Sequence, residues 1–354
     1  MTGKRYGESK YRKEYTSFTK LFEANRAALG DTEEQINELN EKIRELQAEK
    51  IQFRDERNAW NKQNYLRARV DQKLDYLADR LLENSRFEFP DVSEYSRLGG
   101  SDLLVILSDF HIGATFDNNF GYYDTDVAKE RLAKLYQEII NIADRHECQD
   151  CYISLQGDII SGNIHRAIQV TNRENVIDQV KIASDLITNF CYLLCQRFRC
   201  VNFHSVSGNH TRIDRKDDAI HNERLDDLIA WTVSLRLNNV SNFAYRKNYY
   251  DTGISQIFIR GNEYVGVHGD YDDYSPAGVS KLCMMLGHVP YAVLYGHLHT
   301  CAVSESNNVK MIRGGSLCGS GDNYTVEKRL SGKPVQMVCV CNEDGVEAYY
   351  PVEL

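Results

Sequence analysis

Acidic residues and histidines stand beside glycines at five places between residues 108 and 299. The five segments are Ser108-Asp109-Phe110-His111, Gly157-Asp158, Gly208-Asn209-His210, His268-Gly269-Asp270 and Gly296-His297-Leu298-His299. Carboxylate oxygens and neutral imidazoles together suit Mn, Fe or Zn, whereas an all-oxygen set would suggest Mg or Ca. Two such ions joined by a bridging carboxylate can hold a phosphoryl oxygen and activate water. The residue types therefore indicate a metal-dependent hydrolytic site.

Each of the five segments directly follows a short apolar run of strand length. The runs are LLVIL (103–107), CYISLQ (151–156), VNFHSVS (201–207), YVGV (264–267) and YAVLY (291–295). Helical patterns such as Val127–Ala143 and Val176–Phe198 lie between them, and this alternation predicts a layered α/β core. Because sites in such sheets form beyond the carboxyl ends of the strands, we expect the five segments to meet in one crevice. A single Gly-Asp or Asp-x-His is more often an ordinary turn, but five in this order are not explained that way.

The ordered series Asp-x-His, Gly-Asp, Gly-Asn-His, His and Gly-His-x-His resembles the signature of the calcineurin-like metallophosphoesterases, over about residues 103–320. The resemblance implies a four-layer α/β/β/α sandwich and two divalent metal ions, with Mn²⁺ expected and Fe or Zn as alternatives. The implied ligands of one ion are Asp109, His111, Asp158 and His299. Those of the other are Asp158 (bridging), Asn209, His268 and His297. His210 would not be a ligand; it would stabilise the transferring phosphoryl group or protonate the leaving oxygen.

The chain departs from the family at one position near the implied catalytic histidine. The family often has Asp or Glu after Gly-Asn-His, where it commonly orients the histidine, and this chain has Thr211. Another carboxylate could take over that task. The nearby candidates are Asp214, Asp217 and Asp270.

Further segments indicate which members of this family the chain resembles. Ser-Asp-Phe-His-Ile-Gly (108–113) and the later Gly314-Gly315-Ser316-Leu317 are similar to segments of the SbcD-type repair nucleases and their relatives. The segment Gly157 to His165, together with a charged helical N-terminus, is similar to phage-encoded metallophosphoesterases. These resemblances favour a phosphodiesterase that acts on DNA.

Three residues are candidates for contacts with substrate phosphate. His165 and Arg166 follow the Asp158 segment, and Arg212 follows the implied catalytic histidine. Arg212, with Arg215 and Lys216, could hold a phosphodiester backbone. The alternative for all of them is a solvated, charged loop.

The first 90 residues predict a helical arm that precedes a linker (91–101) and a catalytic domain (102–354). Apolar residues at Ile36, Leu39, Ile43 and Leu46 begin a heptad seam that continues through Lys50, Phe53, Arg57 and Trp60. Such a seam is either an intermolecular coiled coil, which would make the protein a homo-oligomer, or a helix hairpin packed on the catalytic body. The basic, aromatic residues 4–29 could bind nucleic acid or form an ordinary amphipathic helix.

The net charge of −9 is unevenly distributed. Residues 1–86 carry 18 Lys and Arg against 16 Asp and Glu, and the remainder carries 24 against 35. The arm is therefore +2 and the body −11, a balance that suits divalent cations better than non-specific binding of nucleic acid. With no long apolar run and a polar start, the chain is expected in the cytoplasm (of a host cell, if phage-encoded) and not in a membrane. The ten cysteines are expected to be reduced core residues, although Cys148 with Cys151 and Cys191 with Cys195 have spacings that a structural zinc could use.

These observations leave three functions to compare. The first is a two-metal phosphodiesterase or nuclease that acts on DNA. The second is a phosphomonoesterase or small-nucleotide phosphodiesterase, which the acidic body favours. The third is an assembly or interaction protein with an incidental metal site.

Overall fold

A computed structural model describes residues 8–25, 37, 40–57, 100–164, 166–214 and 219–354. The chain divides into two compact units, Met1–Arg80 and Leu81–Leu354, and each is described by itself. Within the described residues, no helix combines the length and the apolar character that crossing a membrane requires.

The described residues of the first unit form two helices that pack as an antiparallel pair. They are α1 (Glu8–Asn25) and α2, whose described part is residues 40–57. The rings of Tyr11 and Phe53 lie 6.3 Å apart, and Lys50 Nζ lies 5.6 Å from the centre of the Tyr15 ring. Tyr15 follows Tyr11 in α1, whereas its contact Lys50 precedes Phe53 in α2. The two helices therefore run in opposite directions. Ile36, Leu39 and Trp60 of the heptad seam lie outside the described residues.

The second unit contains two mixed sheets. The larger has the strand order β13-β12-β1-β4-β5-β6. Its strands are β1 (Asp102–Leu107), β4 (Asp150–Leu155), β5 (Cys200–Ser205), β6 (Phe243–Tyr245), β12 (Val335–Asn342) and β13 (Gly345–Glu353). Strands β1, β4, β5 and β6 are parallel, whereas β12 runs antiparallel to both β1 and β13. The chain turns between β12 and β13 at residues 343–344, and the two strands form a C-terminal hairpin.

The smaller sheet has the order β10-β11-β9-β8-β7. Its strands are β7 (Ile254–Ile259), β8 (Asn262–Val267), β9 (Ala292–Tyr295), β10 (Ala302–Ser306) and β11 (Val309–Arg313). The three inner strands are parallel and the two outer ones antiparallel. A separate hairpin pairs β2 (Phe116–Asn118) with β3 (Gly121–Tyr123). The helices of this unit are α3 (Thr125–Arg145), α4 (Arg166–Thr171), α5 (Val176–Cys195), α6 (Leu225–Arg236), α7 (Pro276–Leu286) and α8 (Asn323–Lys328).

Alternating residues of β1 show how the layers stack. Leu103 and Val105 belong to a core shared with α3, α5 and α6, whereas Leu104 and Ile106 pack between the two sheets. On the smaller sheet, Val265 faces a third core closed by α7. Successive side chains of a strand point to opposite faces, so each central strand is buried on both sides. The order helix, sheet, sheet, helix confirms the predicted four-layer α/β/β/α sandwich with an N-terminal helical arm.

Side-chain caps fix where the two long helices begin. Asp124 accepts hydrogen bonds from the backbone of Asp126 and Val127 at the start of α3. Asn175 does the same for Ile177 and Asp178 at the start of α5. Each such cap stabilises a helix by about 1 kcal/mol.

The ten cysteines are all free thiols. Cys148, Cys151, Cys191 and Cys195 lie buried in the core between the larger sheet and its helices, and burial raises their pKa values. Among the described residues, the clusters close enough to hold a metal ion do not include these four. The structure therefore gives them a packing role and supports no structural zinc there.

Candidate metal centre

The loops that follow β1, β4, β5, β8 and β9 meet at one edge of the sandwich. Backbone hydrogen bonds join the first two, from Asp109 N to Gly157 O (3.1 Å) and from His111 N to Asp158 O (3.1 Å). The loops after β8 and β9 are joined in the same way, from Gly296 N to His268 O (2.9 Å). The side chains of all seven predicted metal ligands are thereby brought to the same edge.

Five of those seven residues have left-handed backbone conformations. Their φ angles are 54° at Asp109, 48° at His111, 53° at Asp158, 66° at His297 and 56° at His299. Non-glycine residues seldom adopt a positive φ, and strain of this kind concentrates at functional sites. The surrounding hydrogen bonds maintain a costly backbone geometry that points these side chains inward.

Asp109, His111 and His299 form the first cluster. The Nε2 atoms of the two histidines are 3.1 Å apart, and Asp109 Oδ1 lies 3.3 Å from His299 Nε2 and 3.8 Å from His111 Nε2. Asp109 Oδ1 is buried and has no hydrogen-bond partner within the described part of the chain. A buried carboxylate oxygen that makes no hydrogen bond and lies beside two imidazole nitrogens is in an environment that suits a divalent cation.

Asp158, His268 and His297 form the second cluster, and their ligand atoms lie within 4.8 Å of one another. His268 Nε2 is 3.2 Å from Asp158 Oδ2 and 3.1 Å from Asn209 Oδ1. Asp158 also groups with His111 and His210 within the same distance limit. It therefore stands between the two clusters, where a bridging ligand would have to be.

The charges of this centre are tightly balanced. Burial opposes ionisation of Asp158, but contact with His268 outweighs it and holds the Asp158 pKa well below its usual range. Burial likewise lowers the pKa of His268, yet Asp158 raises it overall to about 10. The pKa of His111 is lowered by burial and then by His210 and His299. Asp158 therefore offers a negative charge beside imidazole nitrogens, so the residues present fit divalent metals.

Backbone groups orient two of the ligands. His268 Nδ1 lies 2.6 Å from the carbonyl oxygen of Gln156, and the amide of His297 donates to Asp109 Oδ2 at 2.9 Å. The first contact places the proton on Nδ1 of His268 and leaves Nε2 directed at Asp158 and Asn209.

His210 is oriented by a backbone carbonyl and not by a carboxylate. Its Nδ1 lies 2.9 Å from Ser161 O, and its ring centre lies 4.5 Å from that of His111. Its amide also donates to Asp158 Oδ1 at 2.7 Å. Of the acids proposed for this task, Asp270 pairs instead with Arg212 at 2.7 Å, and Asp217 lies outside the described residues.

Asp226, in the first turn of α6, is an important residue that sequence reasoning missed. Its fully buried carboxylate accepts from the amides of Asp158 (3.1 Å), Ile159 (3.3 Å) and Gly208 (2.8 Å), and from Thr211 Oγ1 (3.0 Å). Burial and then Asp158 raise its pKa to about 7. Asp226 thus ties two ligand loops together, and Thr211 takes part in that contact.

Cys318 was also missed. Its Sγ lies within 4.8 Å of the ligand atoms of His111 and His299, and burial raises its pKa to about 12. The one sequence signal was its position directly after the Gly314–Leu317 segment.

The three predicted substrate contacts have different surroundings. Arg212 is 6% exposed; its Nη2 donates to Asp270, and its Nε has no partner among the described residues. Arg166 begins the short helix α4, and His165 lies outside the described residues. Their role towards substrate stays a prediction.

Comparisons with known proteins give several distant similarities, while no family model matches the chain. A prophage-derived protein of Bacillus subtilis (strain 168), YonJ, is 20% identical over 333 residues, which are 92% of this chain and 82% of that protein. An archaeal phosphodiesterase is 12% identical with a TM-score of 0.34, over 71% of this chain and 99% of that one. A predicted phosphoesterase of Streptococcus pneumoniae TIGR4 is 10% identical with a TM-score of 0.29, over 72% and 98% of the two chains. Vps29 of Entamoeba histolytica, in complex with Zn²⁺, is 11% identical with a TM-score of 0.32, over 71% and 98%.

These TM-scores are low. The fold of this chain is defined by its own sheets, helices and loops. Two facing mixed sheets between helices carry the five motifs at one edge, in the order Asp-x-His, Gly-Asp, Gly-Asn-His, His, Gly-His-x-His. The chain has the fold of the calcineurin-like metallophosphoesterases.

Proposed function

We propose that this protein is a two-metal phosphodiesterase that acts on DNA. The observation that carries the proposal is the pair of ligand clusters that share Asp158 and adjoin His210. Asp109, His111 and His299 would hold one ion and Asn209, His268 and His297 the other, with Mn²⁺ expected and Fe or Zn as alternatives. When bound, the two ions would supply an activated water and stabilise the negative charge of the phosphoryl group.

The chain's own residues prepare the site for that chemistry. Asp158 stays ionised because His268 holds its pKa well below the usual range against the effect of burial, so it offers negative charge between the two clusters. The Nδ1–H group of His210 donates a hydrogen bond to the Ser161 carbonyl oxygen. Nε2 is therefore the nitrogen that can stabilise the phosphoryl group or give a proton to the leaving oxygen.

Two observations support DNA as the substrate class. One is that residues 108–113 and 314–317 resemble segments of the SbcD-type nucleases. The other is that α1 carries several basic and aromatic residues. A small-nucleotide phosphodiesterase or a phosphatase is the second candidate, because the excess of acidic residues after residue 86 disfavours a long polyanion.

We also propose that the first unit mediates homo-oligomerisation. Large apolar side chains of its two helices, among them Leu21 and Ile51, are exposed. A second copy of the unit would cover these exposed apolar side chains.

Hydrolysis of bis-p-nitrophenyl phosphate and p-nitrophenyl phosphate with added Mn²⁺ tests the enzymatic proposal. We expect the wild type to prefer the diester, His210→Ala to lose at least about a hundredfold in rate, and Asp158→Asn to lose metal as well. His288→Ala is a matched control, because His288 pairs with Glu263 on the surface. Single- and double-stranded oligonucleotides are the next substrates.

Preference for the monoester would replace the phosphodiesterase with a phosphatase. Diester hydrolysis without any cleavage of DNA would favour the small-nucleotide enzyme. An active His210→Ala variant would remove His210 from the proposed chemistry.

A further inference from the structure

Cys318 lies against the loop that carries Asp109. The two residues before it bond that loop: Leu317 N donates to Asp109 O at 3.1 Å, and Ser316 Oγ donates to the same oxygen at 3.0 Å. In addition, Arg131 of α3 donates to the carbonyl oxygens of Leu317 (2.7 Å) and Cys318 (2.9 Å). These hydrogen bonds hold the backbone at Cys318 beside the first ligand cluster.

The Cys318 sulfur is close to two implied ligands of the first ion. Its Sγ lies within 4.8 Å of the ligand atoms of both His111 and His299. The residue is 4% exposed, and Sγ lies 3.1 Å from Ser316 Oγ and 3.3 Å from the Gly319 carbonyl oxygen. Because a thiol is a weak hydrogen-bond donor, exchange of these contacts for a metal–sulfur bond would cost little free energy.

A second, independent feature indicates that the same space suits a cation. The Asp109 side chain is wholly buried, and its Oδ1 makes no hydrogen bond to any described residue. This oxygen lies 3.3 Å from His299 Nε2 and 3.8 Å from His111 Nε2, and those two nitrogens are 3.1 Å apart. One sulfur and one carboxylate oxygen thus lie close to the same two imidazole nitrogens. Zinc is commonly bound by four ligands drawn from cysteine, histidine and carboxylates.

We propose that Cys318 is a thiolate ligand of the first metal ion and shifts the preference of this site from Mn²⁺ towards Zn²⁺. Thiolates are soft ligands that select zinc, whereas Mn²⁺ favours carboxylate oxygens. When the metal–sulfur bond forms, the S–H bond breaks and its proton leaves to solvent, with no change of oxidation state. The inference rests on the proposed function, which places an ion in the first cluster.

The two sites would then differ in their chemistry. The second cluster offers only oxygen and nitrogen donors, which belong to Asp158, Asn209, His268 and His297. A protein supplied with both metals would therefore take up Zn²⁺ at the first cluster before the second.

The absorption spectrum of the full-length protein loaded with Co²⁺ tests the sulfur ligand without a measurement of activity. A thiolate bound to Co²⁺ gives a charge-transfer band in the near ultraviolet, which oxygen and nitrogen ligands do not give. We expect this band in the wild type and its loss in Cys318→Ser and Cys318→Ala. Cys283→Ser is the matched control and should keep the band, because Cys283 is a partly exposed cysteine of α7.

Competition between Zn²⁺ and Mn²⁺, followed by elemental analysis, tests the metal preference. We expect the ratio of the Zn²⁺ affinity to the Mn²⁺ affinity to fall by at least about tenfold in Cys318→Ser relative to the wild type. An unchanged ratio would contradict the shift in preference.

The spectra separate this inference from the proposed metal centre. If Co²⁺ binds to the wild type without a charge-transfer band, or if the band persists in both Cys318 variants, Cys318 is not a ligand although the metal centre stands. If the wild type binds no Co²⁺, Zn²⁺ or Mn²⁺, the metal centre itself is wrong. X-ray absorption of the Zn²⁺-loaded wild type needs no variant: a sulfur neighbour at about 2.3 Å supports the ligand, and oxygen and nitrogen neighbours alone contradict it.

Discussion

Asp226 is a buried carboxylate that can position the loops of the candidate metal centre without being one of its candidate ligands. Its two oxygens accept four hydrogen bonds, three of them from backbone amides of the loops that carry Asp158 and Asn209. Residues that hold ligands in place in this way commonly affect metal affinity by one or two orders of magnitude.

The variant Asp226→Asn tests this role. Both carboxylate oxygens accept from backbone N–H groups. The NH₂ group of asparagine would replace one of these oxygens and face an N–H donor instead of accepting from it. We expect metal affinity to fall by about tenfold to a hundredfold, measured by calorimetric titration with Mn²⁺. Asp344→Asn is the control, because Asp344 is an exposed carboxylate in the turn between β12 and β13, away from the ligand loops. Equal affinities in the two variants would contradict the positioning role.

His204, on β5, makes stability depend on pH independently of the metal ligands. Burial, and then Arg246, lower its pKa to about 3. The folded state keeps it neutral while the unfolded state takes up a proton below pH ~6.5. Stability from this group is therefore complete above pH ~6.5 and is lost, at about 1.4 kcal/mol per pH unit, as the pH falls towards 3.

Urea unfolding between pH 4.5 and 7 measures this slope. We expect the free energy of unfolding of His204→Gln to fall less steeply on acidification than that of the wild type. His288→Gln, which replaces a histidine on the surface, is the control substitution. Parallel curves for His204→Gln and the wild type would exclude the buried histidine as the cause.

Sequence reasoning named the candidate ligands but not all the groups that contact them. Asp109 and His297 could be found because their types and spacing follow from metal chemistry. Asp226 looks like an ordinary acid in the first turn of a helix, and the Ser161 carbonyl has no side-chain signature at all. Both contacts depend on tertiary structure, which local patterns do not encode.

The loop after β5 approaches the loop after β4 too closely to admit a side chain at Gly208. A Cβ on Gly208 would lie 2.1 Å from Asp158 Oδ1 and 2.3 Å from Asp158 N. Only a residue without a side chain lets the loop after β5 approach the loop after β4 so closely.

Gly208→Ala should therefore displace the carboxylate that both clusters share. We expect loss of at least one metal ion per chain, measured by elemental analysis, and a lower melting temperature. Gly100→Ala is the control, because no atom lies within 4 Å of the corresponding Cβ position. Full metal content in Gly208→Ala would show that the loop can shift to accommodate the methyl group without losing metal.

The five apolar runs correctly predicted the central strands, because a strand buried on both faces must be apolar throughout. The short strands β2, β3 and β6 were not predicted. Each has three residues and includes exposed or half-exposed side chains, so no periodic pattern can develop. Their pairing comes from the neighbouring strands and not from local sequence preference.

At the scale of the whole molecule, the described hydrophobic cores of the second unit are built from its own residues. All three of its hydrophobic cores consist of residues from 103 onwards. The predicted boundaries at residues 90 and 102 stay predictions, but β1 begins at Asp102 as the predicted catalytic domain does.

Removal of residues 1–99 should leave a cooperatively folding protein that still binds metal. We expect a single unfolding transition by calorimetry, retained diester hydrolysis, and a smaller oligomer by light scattering. The full-length chain at equal concentration is the control. A truncated chain that is unfolded would show that the arm is part of the catalytic fold, and an unchanged oligomer would place the interface elsewhere.

The pairing of β1 with β12 has a consequence for synthesis on the ribosome. Gln336 of β12 bonds both the amide (2.8 Å) and the carbonyl (3.0 Å) of Ser108, the residue before Asp109, across 228 positions of chain. Until β12 has emerged, one edge of β1 is open and the Asp109 loop lacks this restraint. The nascent chain thus carries an unpaired strand edge through most of translation, which is when it is most exposed to aggregation. A complete metal centre becomes possible only after nearly the whole body has been made.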